Sequence, residues 1–400
     1  MKIKSLALLA IAFYMSEAIH GQLFHPLGLD TGLGERVGEY SQPRMHVEGN
    51  TLYVCTQKGL YSKDLSSKGD AWQLVGFKDV PLQDYARRGE DILALRYNNG
   101  GSFLLLSHDG GQTFEDITPN IFCQEKYEVL PSLAQSPTSP NELIISSLYG
   151  GIFRSTDFGQ TWKNVTEALY GNGAASFIGF HPTRPSIIYN SGEGSFFEGH
   201  INISYDSGQI WNDHGNSLGF SGDNCVHSPA FHPTNPDCWL VGGEGCVFLT
   251  NDNGQTWNVQ NFDKTREGYW FFSVFDEEHP DIVYMAGNLD AIMVMYSMDG
   301  GRSWNTPQTA PTEKMVIVND FQQYGDKLLI YAETDVYEVS KSELIAQGIV
   351  PVRSVTTTSD NHSELYDLSG RRISVPSVSS ASSALPKGVY IRNGRKVVMQ

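Results

Sequence analysis

Five carboxylates recur with the regularity of a site. Asp109, Asp157, Asp206, Asp252 and Asp299 each stand third in an octet of nearly fixed type: SHDGGQTF from Ser107, STDFGQTW from Ser155, SYDSGQIW from Ser204, TNDNGQTW from Thr250 and SMDGGRSW from Ser297. A carboxylate flanked by hydroxyls and glycine at constant spacing could hold a metal ion or present a catalytic acid. Local physics gives these residues other work. An aspartate in such a turn accepts backbone N–H bonds from the residues that follow it. The glycine supplies a backbone shape that other residues resist, and the closing aromatic buries a large area. The five aspartates therefore read as structural, with no metal ligated.

A second set of polar residues suits chemistry better. Glu193, Glu198, Glu244, Asp290 and Glu333 fall in the turns SGEGSFFEGH, GGEGC, AGNLDA and AETD. Asp213, His214, Asp223, His227, Arg266, Glu267, Tyr269, Trp270, Glu313 and Lys314 fall in other connections. Converging carboxylates could act as the acid and base of glycoside hydrolysis, and Glu193, Asp223 and Glu244 are the candidates for that role. Trp270 stands beside Tyr269, away from the octets, where a flat aromatic would suit a sugar face. With Arg266, Glu198, His227 and Asp290, these two make up the expected ligand-binding set. The bland alternative is that a chain of net charge −17 carries acids on every loop.

The elements that must position these residues follow from the octets. The intervals of 48, 49, 46 and 47 residues between their aspartates mark a repeat architecture. Each unit reads as an apolar run ending in a proline turn (FIGFHPTRP, SPAFHPTNP), a second run, a glycine turn, a third run, the octet and a short fourth run. Two further copies carry decayed octets: NTLYVCTQKGLYSKDLSSKGDAW from Asn50, and DKLLIYAETDVYEVS from Asp326. Seven units of four strands predict an all-β fold, a seven-bladed β-propeller over 22–350, with six or eight blades as alternatives. The last unit lacks its fourth strand, so the segment from Gln22 to Leu29 is expected to supply it. Residues 351–363 read as a polar linker, and 364–400 as a small β tail whose Asn393-Gly394 pair signals a hairpin.

Composition excludes several functions. An acidic chain offers no basic patch for nucleic acid. Residues 1–18 combine Lys2 and Lys4, an apolar stretch and a small-x-small site, the pattern of a signal peptide. No other run is long enough for a transmembrane segment. Of five cysteines, Cys225, Cys238 and Cys246 cluster, so one disulfide and buried free thiols are equal readings. Nothing in the sequence calls for a cofactor.

The octets resemble the Asp box, or BNR repeat, of sialidases, sortilin-type domains, xyloglucanases and photosystem-assembly propellers. In those families the box lies on the rim opposite the ligand, which directs attention to the loops joining strand four to the next blade and strand two to strand three. YSQPRMHVEGNTL from Tyr40 has Arg44 near the place of a sialidase Arg-Ile-Pro element, with Met and His where Ile and Pro would stand. Arg87, Arg88 and Arg266 are the other arginines expected on the ligand side. Xyloglucanases of this type resemble two facing propellers, more than one such unit supplies. The tail elements YDLSGRR and LPKGVYIRNGRKV resemble the C-terminal sorting domain of type IX secretion cargo in Bacteroidetes. Together these resemblances imply a secreted or surface-displayed propeller that binds a glycan or an extracellular protein without catalysis, handed to secretion machinery through its tail. The alternative is a glycoside hydrolase, sialidase-like or xyloglucanase-like.

Overall fold

Short apolar runs broken by glycine, proline and aspartate cannot build long helices, and in the computed structural model they form antiparallel meanders. The structure describes residues 23–30, 33–35, 42–67, 69–98, 101–119, 129–147, 151–166, 177–193, 199–213, 226–263, 265–310 and 316–348, and the backbone of 365–366, 372–373, 388–392 and 395–399. The expected signal peptide (1–18) and linker (351–363) lie outside the described residues. The chain divides into two compact units, Met1–Leu344 and Ile345–Gln400.

The first unit is a seven-bladed β-propeller, each blade a four-stranded sheet. The innermost strands of blades 1 to 7 are Met45–Glu48, Leu82–Arg88, Ser132–Gln135, Phe177–Phe180, Ala230–Phe231, Tyr269–Phe275 and Val318–Tyr324. Blades pack face to face, so middle strands such as Val283–Asn288 and Ile292–Ser297 are buried at every position. This explains the continuous apolar runs in the sequence, where a half-exposed sheet would alternate. Between blades 2 and 3, for example, Leu93, Leu95, Leu104 and Leu106 meet Leu133, Leu143, Ile145 and Phe153.

The octets and the turns between strands one and two share one face. Gly110 N donates to Glu90 O, Phe158 N to Asn141 O, Asn253 N to Asp237 O and Gly300 N to Asp281 O, at 2.7–2.9 Å. The turns between strands two and three share the other face with the inter-blade loops, as when Gly245 N donates to Gly268 O at 2.8 Å. These are called the octet face and the loop face below.

Every octet repeats one hydrogen-bond pattern. In blade 3, Ser155 Oγ donates to Asp157 Oδ1 at 2.8 Å and accepts from Gly159 N at 2.9 Å; Asp157 accepts from Thr161 N at 2.8 Å and Thr161 Oγ1 at 2.6 Å. Blade 4 has Ile210 in place of the hydroxyl residue. There Asp206 holds only backbone N–H groups at that position, and the Ile210 side chain is left 65% exposed. Asp109, Asp157, Asp206, Asp252 and Asp299 all titrate below the usual carboxylate range, Asp109 at about 2 through its bonds from the Thr113 hydroxyl and N–H. A depressed folded-state value means stability that is present above about pH 4 and lost as pH falls toward about 2. Urea midpoints should therefore drop over that interval, and the drop should be smaller in a protein carrying Asp157→Asn and Asp252→Asn together. An equal drop in both would refute the assignment.

Blade 7 is closed from the other end of the chain. Phe24–Pro26 pairs antiparallel with Val336–Ser340, with Phe24 opposite Val339 and Pro26 opposite Tyr337, within the segment expected to do so. Cys55, Cys238 and Cys246 are buried free thiols, so the cluster reading resolves to thiols for these two of its three members; Cys225 lies outside the described residues. One element was not anticipated: helix α1, Lys341–Gly348, follows the last blade strand. Its Lys341 Nζ lies 2.9 Å from Asp276 Oδ2, both groups buried.

In the second unit, Leu365–Tyr366 lies between Arg372–Ile373 and Gly388–Arg392, and the last pairs with Arg395–Met399. Arg392 stands opposite Arg395, and the Asn393-Gly394 pair expected to turn the hairpin lies outside the described residues.

Candidate functional site

The loop face holds several of the sequence candidates but uses them unevenly. Glu244 and Tyr269 meet across an isolated bridge between blades 5 and 6, and both side chains are half-buried. Asp290 and Glu267 are exposed. Glu193 ends the strand Ile188–Glu193, and Asp213 ends Asn212–Asp213; their side chains, and all of Glu198, His214, Asp223, Glu313 and Lys314, lie outside the described residues.

Trp270 and Arg266 depart from expectation. Trp270 is 0% exposed, packed among Leu240, Val247, Val283 and Met285, and its Nε1 donates to Arg266 O at 2.7 Å. The Arg266 guanidinium lies on the next blade, with Nε donating to Trp304 O and Asn305 O at 3.1 Å each, and Nη1 donating to Asp263 at 2.8 Å. Both residues fasten the loop to the blade 5–6 interface, and the Trp270 ring presents no surface to a ligand. The strand bulges between Tyr269 and Phe272, and its register there turns Trp270 into the inter-blade core.

His227 is buried as well. Its ring stacks on Phe271, with centroids 3.8 Å apart and planes 2° from parallel, and packs on Phe177 at 4.1 Å. The Arg44 guanidinium covers the other side of this cluster, 4.3 Å from the Phe177 centroid and 5.9 Å from that of Phe272. Arg44 Nη1 stands 3.8 Å from Asp320 Oδ1, and Asp320 also accepts from Met45 N at 3.0 Å. Burial raises the Asp320 carboxyl against the pull of Arg44. Arginine, histidine and three phenylalanines thus form a floor across the loop-face end of the central channel.

Below that floor the channel opens toward the octet face as a cavity of about 700 Å³. The cavity has a charged wall and an apolar one. On the charged wall, His46 Nε2 lies 2.7 Å from Asp84 Oδ1, Tyr85 Oη donates to Glu48 Oε1 at 2.6 Å, and Arg87 Nη1 donates to Glu48 Oε2 at 3.3 Å. The opposite wall brings Leu133, Ala134, Pro137, Ile178 and Phe180. Burial lowers the His46 imidazole, but Asp84, with Asp320 and Glu48, more than offsets it and raises it above its ordinary value. Burial and the neighbouring Glu48 push the Tyr85 phenol far up, which keeps it a hydrogen-bond donor.

Arg87 and Arg88 belong to this half of the molecule, not to the loop face. They end the innermost strand of blade 2 just before the Gly89-Glu90 turn, and Arg88 binds Asp91 and Asn141 while covering the Phe158 ring. His46, Glu48, Asp84 and Tyr85 lie in no loop or octet, so neither pattern marks them. The readable signal was the alternation of Arg44, His46 and Glu48 in RMHVE and of Asp84 with Tyr85 and Arg87 in QDYAR: charges inside what must be innermost strands. No group of three or more metal-ligating side chains occurs among the described residues, and no described helix is long and apolar enough to cross a membrane.

Comparison with solved structures returns propellers. The GH74 xyloglucanase from Xanthomonas campestris superposes with TM-score 0.57 at 15% identity, over 80% of this chain and 53% of that one. A YCF48 structure bound to D1 peptide gives the same TM-score and identity, over 80% of this chain and 97% of that one. The GH74 enzyme of Niastella koreensis gives 0.58 at 15%, over 79% and 53%. The likeness fixes the fold and nothing finer. The chain spans about half the length of the xyloglucanases it matches. No family model matches the sequence, and no curated protein matches it either.

Proposed function

We propose that this chain is an exported, non-catalytic Asp-box propeller that binds a protein segment or a glycan through its loop face. The observation that carries this reading is the floor of Arg44, Phe177, His227, Phe271 and Phe272. It ties together the loop-face ends of blades 1, 4, 5 and 6, beside the half-buried Tyr269 and Glu244 and the exposed Glu267 and Asp290. Retaining and inverting glycosidases place two carboxyl groups about 5–9.5 Å apart around the scissile bond in a cleft. Two of the described carboxylates stand in the channel bound to partners, Asp84 to His46 and Glu48 to Tyr85 and Arg87. The coverage points the same way: this chain matches nearly all of a propeller bound to a peptide, but half of each xyloglucanase. The octet geometry supports the Asp-box assignment. The leader at 1–18 and the tail at 364–400 support export through an inner-membrane signal and a type IX-like sorting element, giving a secreted or surface location.

The xyloglucanase neighbours favour glycoside hydrolysis as the second reading. Glycan and peptide arrays on the purified protein, followed by product analysis, separate the two. The expected result is binding that weakens at least about ten-fold in Tyr269→Ala, a loss typical of a binding hot spot, with no new reducing ends. Turnover of any glycan that disappears in Glu193→Ala, Asp223→Ala or Glu244→Ala would overturn the proposal.

A further inference from the structure

The octet-face cavity has no part in the loop-face reading, yet its walls are built like a binding site. Its size falls within the range of small-ligand pockets, about 300–1,000 Å³, and charged side chains from blades 1, 2 and 7 stand within or just above it. Counting their hydrogen bonds shows what is spent and what is left. Asp84 accepts from His46 and from Tyr85 N at 2.8 Å. Glu48 accepts from the Tyr85 phenol and from Arg87. Asp320 accepts from Met45 N and Phe321 N and faces Arg44. Each carboxylate therefore has internal donors.

The donors are less fully used. An arginine carries five N–H groups; Arg87 engages Glu48 and Tyr53 and keeps others in reserve, with its side chain 21% exposed. His46 commits one ring nitrogen to Asp84 and is 37% exposed. The wall thus keeps spare donors on Arg87 and His46, beside a Glu48 carboxylate that is itself 41% exposed. Facing it, Ala134, Pro137, Ile178 and Phe180 offer apolar patches among the polar Gln135, Ser136 and Tyr189, room for a hydrocarbon side chain with polar groups at its edge.

We infer that the octet-face mouth of the channel is a second binding site, which takes a carboxylate from a protein segment on Arg87 and His46 and seats an adjacent apolar side chain against Ile178 and Phe180. The site is separate from the loop face and does not depend on what the loop face binds. A pH dependence accompanies it. His46 is faced by Asp84, Asp320 and Glu48, which hold it protonated, and by Arg87 and Arg44 as the opposing charges. Carboxylate binding should be strongest where the imidazole is charged and should weaken as pH rises through its elevated value.

The test uses the full chain and three probes: N-acetyl-leucine, its uncharged amide N-acetyl-leucinamide, and glucuronate. Binding is followed by calorimetry and ligand-observed NMR at about pH 6 and about pH 8.5, on either side of the histidine range. The acid should bind at least about ten-fold more tightly than the amide, the scale of a charge-assisted bond, and more tightly at the lower pH. Arg87→Gln should abolish the preference for the acid, Arg87→Lys should restore part of it, and His46→Gln should remove the pH dependence while leaving residual binding. Equal binding of acid and amide, or no binding of either, overturns the site. Glucuronate binding as well as N-acetyl-leucine overturns the peptide assignment. Loop-face binding that survives Arg87→Gln leaves the first reading standing whatever happens here, and its loss in Tyr269→Ala should not disturb the cavity.

Discussion

Replacing Trp270 with alanine should destabilise the propeller by about 3–5 kcal/mol, the cost of emptying a large aromatic site in a packed core. The ring is wholly enclosed between blades 5 and 6, and its indole N–H is bonded to the Arg266 carbonyl. The backbone around it is equally tight: a Cβ on Gly242 would lie 1.7 Å from Trp270 O, and one on Gly287 2.1 Å from Tyr269 O. The interface cannot collapse onto the void without moving main chain, so relaxation recovers little. Urea unfolding of Trp270→Ala and Trp270→Phe measures the effect, with phenylalanine restoring a large part. A stable Trp270→Ala that had merely lost ligand binding would restore the sugar-platform role that the sequence suggested and reject the packing account.

That contrast shows where the sequence was legible. Period, glycine turns and apolar runs determine the blade count because each states a local backbone requirement. Even the decayed copy from Asn50 folds as the blade Met45–Gly76, since strands need only their alternating or continuous apolar pattern. The octets were legible for the same reason: the first hydroxyl accepts from the Gly N–H and donates to Asp, which also accepts from the residue at position seven, all within eight residues. Site residues obey no such local rule. Whether Trp270 faces a ligand or a neighbouring blade depends on the twist and register of an innermost strand that bulges between Tyr269 and Phe272. Neither of these shows in the residue string. Arg87 illustrates the converse. Its charge in a buried strand contradicted the pattern around it, and such contradictions mark functional or strained positions more often than loop acids do.

Closure gives the second large effect. Residues 24–30 run along blade 7, and one carboxylate organises the passage. Asp335 accepts from Gly28 N at 3.1 Å, Leu29 N at 2.9 Å and Val336 N at 2.7 Å, just beyond the three residue pairs that join Phe24–Pro26 to Val336–Ser340. Leu27 N donates to Val336 O at 2.8 Å, and Trp72 of blade 1 donates to Leu27 O at 3.2 Å, so the strand is held from both sides. A propeller that is not closed exposes the edge of its last sheet and loses the inter-blade core on that side, here Leu329, Tyr331 and Val336 against Met45, Leu52 and Val54. Asp335→Ala leaves three N–H groups without their acceptor; those of Leu29 and Val336 are part-buried and that of Gly28 is exposed, so the loss should fall near the low end of the about 1–3 kcal/mol of a buried orphaned donor. Phe24→Ala removes a side chain that is 1% exposed and should cost about 3–5 kcal/mol. The two residues act on one latch, so their effects should be less than additive in a double-mutant cycle. Hydrogen exchange locates the damage: amides of Val336–Ser340 should lose protection in either variant while those of Cys246–Thr250 in blade 5 keep theirs. Uniform loss across all blades would mean that the ring opens as a whole, and unchanged protection at Val336–Ser340 would show that the N-terminal strand does not close the propeller.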